Sequence, residues 1–407
     1  MGALFRRFGF ALFILAAGTL PAAASAAFDA CANEAASPYE AGYEDIGIAG
    51  TPNFYADSAV ARCVEALAED PANIQVMAWL GAAYVVYNDM EAAVPLLETA
   101  AAAGNVVALR ALGDLYILGK GVTRDKVHGF GLLTQAAEAG FAPAALSLGY
   151  CYEYGDGVAA DLATAAHWYA QAAEAGVPRA QIIMARLLQQ GLGMAEDAAA
   201  ALGWLQRAAA QGEGEAQYLL GVAYLEGRGT AADPAAARQA FEDAAASYTP
   251  RGSTALGYML ELGLGGEADI ETAAQRYYDG VAANLPVAWH NIARLEESGD
   301  GLAANPAEAR RHYEMAARAG APYAAANLAL LMLDGSGGPQ DIAGALRWTQ
   351  QAAAGGSLAG LNNLGRLYEL GIGVTADIAA ARGYYEQAAA AGFEPARANL
   401  ARLGGAG

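Results

Sequence analysis

The feature that most constrains this chain is a repeat of 36 residues, present in eight copies without insertion or deletion. Each copy carries two glycines separated by one residue, and an Asp or Asn stands four residues after the second glycine. The glycine pairs are Gly119/Gly121, Gly155/Gly157, Gly191/Gly193, Gly227/Gly229, Gly263/Gly265, Gly299/Gly301, Gly335/Gly337 and Gly371/Gly373. A fixed period of about 20–50 residues indicates a solenoid or an array of stacked units.

One repeat, residues 142–176, shows what each copy must form. The slot of Leu148 is always large and apolar and the next slot is always Gly or Ala, which lets helices approach closely. Asp161 stands where a helix starts, and Gly176 stands where that helix must end. We therefore predict two antiparallel helices of about 12 and about 15 residues per repeat. Stacking of such pairs gives an all-α fold, a right-handed α-solenoid.

The repeat resembles the Sel1-like repeat, a relative of the tetratricopeptide repeat. The matching residues are Leu148-Gly149, Tyr152, Gly155, Gly157-Val158, Asp161, Trp168-Tyr169, Ala172-Ala173-Glu174 and Gly176. The resemblance covers the chain from about Asn105 to its end. It is weakest in 231–285, where Tyr248 replaces the closing glycine and Arg276 occupies the tryptophan slot.

The repeats leave four other segments to assign. Residues 1–26 have a basic start, an apolar core and a small-residue cleavage site, which predicts a secretory signal peptide rather than an uncleaved anchor. Residues 27–56 are expected to be irregular, and 57–104 to form a shorter cap like a tetratricopeptide repeat. The eight repeats fill 105–392 with no linker, and 393–407 supply a capping helix and tail. The mature protein is expected in the periplasm or outside the cell.

The expected export of the protein determines how its three cysteines are interpreted. An oxidising compartment favours a disulfide between Cys31 and Cys63, the alternative being two free buried thiols. Cys151 lies inside a repeat helix and is expected to be a small core residue.

The charge of the chain restricts its partners. The formal charge is −20, and becomes −22 once Arg6 and Arg7 leave with the signal peptide. This charge argues against nucleic acid and anionic membranes, and mildly favours basic partners. No further transmembrane span is expected, and we expect a monomer. The four histidines lack metal-ligand spacing and His312 is read as a packing residue, so no metal, cofactor or catalytic group is predicted.

The remaining place for function is the exposed face of the first helices, which lines the concave surface of such repeats. Side chains there vary between repeats and mix Arg, Tyr and Glu, which suits the binding of a protein or peptide. The alternative is an ordinary solvated surface with pairs such as Arg294 with Glu297. The candidate partner-binding residues are Tyr150, Glu153, Arg186, Gln189, Tyr218, Tyr258, Glu261, His290, Arg294, Glu297 and Arg366.

Two functions stay open at this stage. The resemblance implies a non-enzymatic adaptor in the bacterial periplasm that binds a protein partner, such as an envelope sensor, in signalling or assembly. It also implies a second possibility, because some cysteine-rich relatives are linked to β-lactam binding and hydrolysis. Those relatives carry a cysteine pair in each repeat, whereas the repeats of this chain contain only Cys151, which disfavours the enzyme.

Overall fold

The computed structural model describes residues 25–40 and 56–404, so the predicted signal peptide lies almost entirely outside the described residues. The described part contains 21 α-helices and no strand. It forms two compact units, one reaching to Asp161 and the other beginning at Leu162, a boundary where the chain has no linker.

The helices of the first unit are α1 (Ala26–Ala35), α2 (Ala56–Glu69), α3 (Ile74–Val86), α4 (Met90–Ala102), α5 (Val106–Leu118), α6 (Lys126–Glu138) and α7 (Ala142–Tyr154). Those of the second unit are α8 (Leu162–Glu174), α9 (Pro178–Gln190), α10 (Ala198–Ala210), α11 (Gly214–Glu226), α12 (Pro234–Ala246), α13 (Pro250–Leu262), α14 (Ile270–Ala282), α15 (Pro286–Ser298), α16 (Pro306–Arg318), α17 (Pro322–Asp334), α18 (Ile342–Ala354), α19 (Leu358–Leu370), α20 (Ile378–Ala390) and α21 (Glu394–Gly404).

The N-terminal segment corrects one expectation, because part of the region predicted to be irregular is helix α1. The Ser25 side chain accepts a hydrogen bond from the Phe28 N–H and so caps this helix, which ends before Pro38. The predicted disulfide is present, and Cys31 of α1 is bonded to Cys63 of α2 with their Cα atoms 4.6 Å apart. The covalent bond thus holds α1 in a small core that it shares with α2 and α3.

A buried carboxylate ties the same segment to the next helix. Glu40 is 5% exposed and accepts a hydrogen bond of 2.9 Å from the indole N–H of Trp79 on α3. Gln75 also donates to this carboxylate. Burial raises the pKa of Glu40 above its ordinary value.

Within the repeats both helices of a pair are 13 residues long, not about 12 and about 15 as predicted. The second helix is shorter than expected because the chain leaves helical geometry just before the closing glycine, as Ala139 does after α6. The start of the second helix is as predicted, because a side-chain oxygen of the Asp or Asn accepts a backbone N–H bond. This cap is formed by Asp125, Asp197, Asp233, Asp269, Asn305, Asp341 and Asp377.

The small slots bring the two helices of a repeat together. A Cβ atom added at Gly257 of α13 would lie 2.8 Å from the ring of Tyr277 on α14, so a larger residue there would force the ring to move. From the other side, Ala273 of α14 is fully buried, and its carbonyl oxygen would lie 3.1 Å from that same Cβ. Small residues recur in these two slots in every repeat.

The glycine pair in each loop has two separate structural roles. Gly191 ends α9 in the left-handed conformation with φ of 63°. Gly193 lies against the first turn of α8, where an added Cβ would stand 2.2 Å from the carbonyl oxygen of Leu162. The loop is therefore a contact between successive repeats.

Two repeats lack the closing glycine and pay in backbone strain. Tyr248 and Asn284 take its place and still adopt the left-handed conformation, with φ of 54° and 59°. A bulky residue is rare in this region of φ and ψ, whereas Asn tolerates it. The departure in 231–285 therefore changes the residue and keeps the turn.

Candidate interaction surface

The exposed face of the first helices is built from the position that follows the small slot. In the second unit, Tyr258 comes directly after Gly257, whose backbone is covered by the Tyr277 ring. Since the next residue of a helix points about 100° away, the Tyr258 side chain turns outward. It is 46% exposed, and Leu330 and Arg366 in the same slot are exposed too, whereas the other members of the slot are half-buried.

Two of the glutamates predicted to bind a partner, Glu261 and Glu297, have structural roles, and so does Glu369, which was not among the predicted residues. A tyrosine 16 residues later in the same repeat donates its hydroxyl hydrogen to each of them. The pairs are Tyr277 with Glu261 at 2.8 Å, Tyr313 with Glu297 at 2.9 Å, and Tyr385 with Glu369 at 2.8 Å. Burial, followed by the neighbouring carboxylate, raises the pKa of these three tyrosines. The hydrogen bonds therefore join the two helices of one repeat.

Arg294 also has an internal partner. Its guanidinium forms an ion pair with Glu261 of the preceding first helix, and not with Glu297 on its own helix. The same kind of link connects Arg402 of α21 with Glu369 of α19, at 2.7 Å. The sequence analysis considered a surface pair between Arg294 and Glu297 on one helix. The structure instead has a bond between successive repeats, from Arg294 to Glu261.

His290 lies beside this pair in an aromatic environment. Its ring contacts Tyr323 edge-on with centroids 4.6 Å apart, and Tyr313 at 5.6 Å. Burial, reinforced by the Arg294 charge, lowers its pKa to about 4. Its Nδ1 atom is buried and has no hydrogen-bond partner among the described residues. The structure thus brings His290, Arg294 and Glu261 together.

The other predicted residues lie outside the group formed by His290, Arg294 and Glu261. The Tyr218 ring on α11 packs on Phe241 and lies 5.9 Å from the Arg251 guanidinium. Arg186 and Gln189 are half-buried on α9. In the first unit, Tyr150 and Glu153 are half-buried on α7, and the Tyr150 ring stacks on Tyr154 at 6.3 Å.

Arg366 differs from the other predicted arginines in the second unit. It is exposed on α19 and forms no hydrogen bond or ion pair within the described part of the chain. Its charge acts on Glu369, whose pKa is held below its ordinary value mainly by Arg402. Arg366 therefore keeps a guanidinium available to solvent.

The sequence analysis missed a column of exposed apolar residues at the last position of the first helices. Four of the eight repeats carry a large apolar side chain there, between 51% and 66% exposed. They are Leu118, Tyr154, Leu262 and Leu370. The signal is visible in the sequence, because this is the residue immediately before the first glycine of each loop.

Two side chains of types used in catalysis, His312 and Cys151, are buried. His312 is buried as expected, and it also pairs with buried Glu296 at 2.8 Å, to which Tyr278 donates at 3.0 Å. Burial raises the pKa of the Cys151 thiol to about 12, which makes it a poor nucleophile. Among the described residues no group of three His, Cys, Asp or Glu side chains could hold a metal ion. None of the described helices has the length and apolar character needed to cross a membrane.

Comparison with solved structures gives similar proteins of the same repeat type. The crystal structure of c5321, a protective antigen of uropathogenic Escherichia coli with an SLR fold, is 25% identical with a TM-score of 0.59. The similarity covers 85% of this chain and 82% of that one. A Sel1 repeat protein from Oxalobacter formigenes is 29% identical with a TM-score of 0.56, over 76% and 90% of the two chains. A search of curated proteins finds no match.

The sequence profile of the Sel1 repeat matches this chain eight times. The matched segments are 106–141, 142–177, 178–213, 214–246, 250–279, 287–320, 322–357 and 358–393. They cover more than half of the chain and coincide with the helix pairs described above. The protein therefore belongs to the Sel1 repeat family.

Proposed function

We propose that this protein is an exported, non-enzymatic scaffold that binds a protein partner through the exposed face of its first helices. Repeats of this family and of the related tetratricopeptide type typically mediate protein–protein interaction. Export is supported by the signal-like pattern of residues 1–26. The periplasm, and a role in envelope signalling or assembly, belong to the same proposal.

The observation that carries the proposal is the exposure of large apolar side chains at equivalent repeat positions in the second unit. We call Tyr258, Leu262, Leu330 and Leu370 the first-helix surface. They are 40% to 59% exposed and occupy two columns of the repeat, four residues apart. Residues four apart lie on the same side of a helix, so the repeated columns form one face.

The energetics favour a partner on this face over solvent alone. Complete burial of one such side chain contributes about 1.5–3 kcal/mol. A few buried aromatic and apolar residues, surrounded by polar ones, dominate the affinity of many interfaces. The half-buried charges beside them, such as Arg294 with Glu261, are already paired and fit the surrounding polar rim. The partner should therefore present an apolar segment, and the net charge of −20 favours basic flanking residues.

The test compares partners captured from envelope extracts by three purified proteins. One is the natural protein, and the second carries Tyr258→Ser, Leu262→Ser and Leu330→Ser. The third carries Leu162→Ser, Ile342→Ser and Ile378→Ser, exposed apolar residues of similar accessibility at the first position of second helices. We expect a protein that is retained by the natural chain and the third variant, and reduced at least about tenfold on the second. Equal capture by the natural protein and both variants would contradict the assignment of this face.

A further inference from the structure

The second unit contains a cleft between α19 and α21, with a volume of about 550 Å³. Its polar residues are Asn362, Arg366 and Glu369 from α19, and Asn399 and Arg402 from α21. Two arginines and one glutamate give the cleft a net charge of +1. This is unusual on a chain whose formal charge is −20.

The internal pairs of the cleft leave one guanidinium unused. Arg402 donates from both terminal nitrogens to Glu369, and the Tyr385 hydroxyl donates to the same carboxylate at 2.8 Å. Glu369 is thereby satisfied and stays ionised, since Arg402 lowers its pKa. Arg366 is exposed and makes no hydrogen bond or ion pair with any described residue.

An amide donor lies at the buried side of the same cleft. Asn362 is only 6% exposed, and its Oδ1 accepts a hydrogen bond of 2.8 Å from Nδ2 of Asn399. This bond fixes the orientation of the Asn362 amide, so its NH₂ group is the remaining donor. That NH₂ group donates to no described residue. A planar guanidinium and a neighbouring amide donor are suited to a carboxylate, which accepts bidentate hydrogen bonds.

From this arrangement we propose that the cleft binds the C-terminal carboxylate of a peptide, with Arg366 as its ion-pair partner and Asn362 as a second donor. A single unpaired guanidinium matches a single negative charge. A run of acidic side chains would be repelled by the strongly negative chain. Leu370, which is 59% exposed at the edge of the cleft, offers an apolar contact for an uncharged last side chain.

The inference extends the proposed function, because Leu370 belongs to the first-helix surface, but the cleft can be tested without the partner. Three pools of N-acetylated hexapeptides are prepared from uncharged residues. The first pool ends in a free carboxylate, the second in an amide, and the third is amidated and contains one internal Glu. Each pool is passed over immobilised natural protein, and bound peptides are quantified by mass spectrometry at about 0.15 M salt.

We expect the natural protein to retain the free-carboxylate pool at least about tenfold over both amidated pools, a difference of about 1.4 kcal/mol. Arg366→Gln should abolish this preference. Arg382→Gln, which changes an exposed arginine on α20 of the same repeat, should preserve it. Circular dichroism and thermal unfolding should be alike for all three proteins.

Three results would overturn the inference. They are equal or absent retention of the free and amidated pools, an undiminished preference in Arg366→Gln, or equal retention of the Glu-containing pool. None of these results affects the interpretation of the capture experiment with envelope extracts, because the variants used there leave Arg366 and Asn362 unchanged. Failure of the cleft and failure of the first-helix surface can therefore be told apart.

Discussion

Tyr248 shows most clearly how a residue other than glycine strains the turn that closes a repeat. It is 93% exposed and has φ of 54° at a position where most repeats carry glycine. A side chain with a Cβ atom costs about 1–2 kcal/mol in the left-handed region. Because the ring contributes little burial, nothing in its packing offsets this strain.

Tyr248→Gly should therefore stabilise the protein by about 1 kcal/mol, the strain being partly offset by the greater freedom of glycine in the unfolded chain. Asn284→Gly should give a smaller gain, because asparagine tolerates the left-handed conformation better. Urea unfolding followed by circular dichroism measures both. A loss of stability in Tyr248→Gly would show that the exposed ring has a contact that outweighs the strain.

His290 gives a prediction about pH. Its pKa is about 4 in the folded protein against 6.5 for the free side chain, so the unfolded chain binds the proton more readily. Stability is then fully present above about pH 6.5 and falls as the pH is lowered toward 4. Between pH 7 and pH 5 this one group should remove about 2 kcal/mol.

The measurement is the free energy of unfolding at pH 7 and pH 5 for the natural protein and for His290→Gln. The variant has no imidazole to protonate, so its decrease between the two pH values should be smaller by that amount. Carboxylates contribute equally to both proteins and cancel in the comparison. The same decrease in both would show that His290 is not the group responsible.

At the scale of the elements, the sequence predicts the helix pairs well and the partners of surface side chains poorly. The helix starts at the Asp or Asn column follow from a local rule, in which a side chain caps its own helix. The availability of Arg294 depends instead on Glu261, 33 residues earlier and in another repeat. Glu261 in turn depends on Tyr277, 16 residues later. No single column shows such a link, so the sequence does not reveal that predicted binding residues such as Arg294 and Glu261 are engaged within the chain.

Helix α1 was missed for a related reason. Five glycines and prolines in 27–53 argue against a long helix, but Pro38 is the first of them and lies beyond Ala35. The ten residues before it are free of both residue types, and the disulfide holds them against α2. The glycine and proline content averaged over the whole segment therefore gave no sign of the short helix at its start.

The disulfide should account for much of the stability of the N-terminal helices. Its two cysteines are 32 residues apart, and closing a loop of that length is worth about 3–4 kcal/mol in the chain-entropy estimate. The double variant Cys31→Ala, Cys63→Ala should lose protection from hydrogen exchange in α1 and α2 first. Native protein should show no readily reacting thiol, because Cys151 is buried, and one after unfolding. Three reactive thiols in exported, unfolded protein would contradict this.

At the scale of the whole molecule, the two units share one principle of construction. In each of them the described helices make extensive contact only with helices one or two positions away in the chain. The stability of such an array is close to a sum of repeat and nearest-neighbour contributions. A local defect should therefore have a local effect, even in a chain of 407 residues.

Gly193→Ala tests this construction within the second unit. The new Cβ would stand 2.2 Å from the Leu162 carbonyl oxygen, at a φ of 70°. Strain and overpacking together should cost about 2–5 kcal/mol. The matched control is Gly212→Ala, which has φ of 83° and open space around the added Cβ, so only the strain of about 1–2 kcal/mol applies.

Hydrogen exchange measured by mass spectrometry distinguishes a local effect from a global one. Gly193→Ala should lower the protection of α8, α9 and α10, which adjoin the altered loop, while α18 to α20 exchange as in the natural protein. Gly212→Ala should change protection less and only around its own turn. If Gly193→Ala lowers protection equally from α8 to α20, the second unit unfolds as one cooperative body. The nearest-neighbour description would then have to be replaced by a single all-or-none transition.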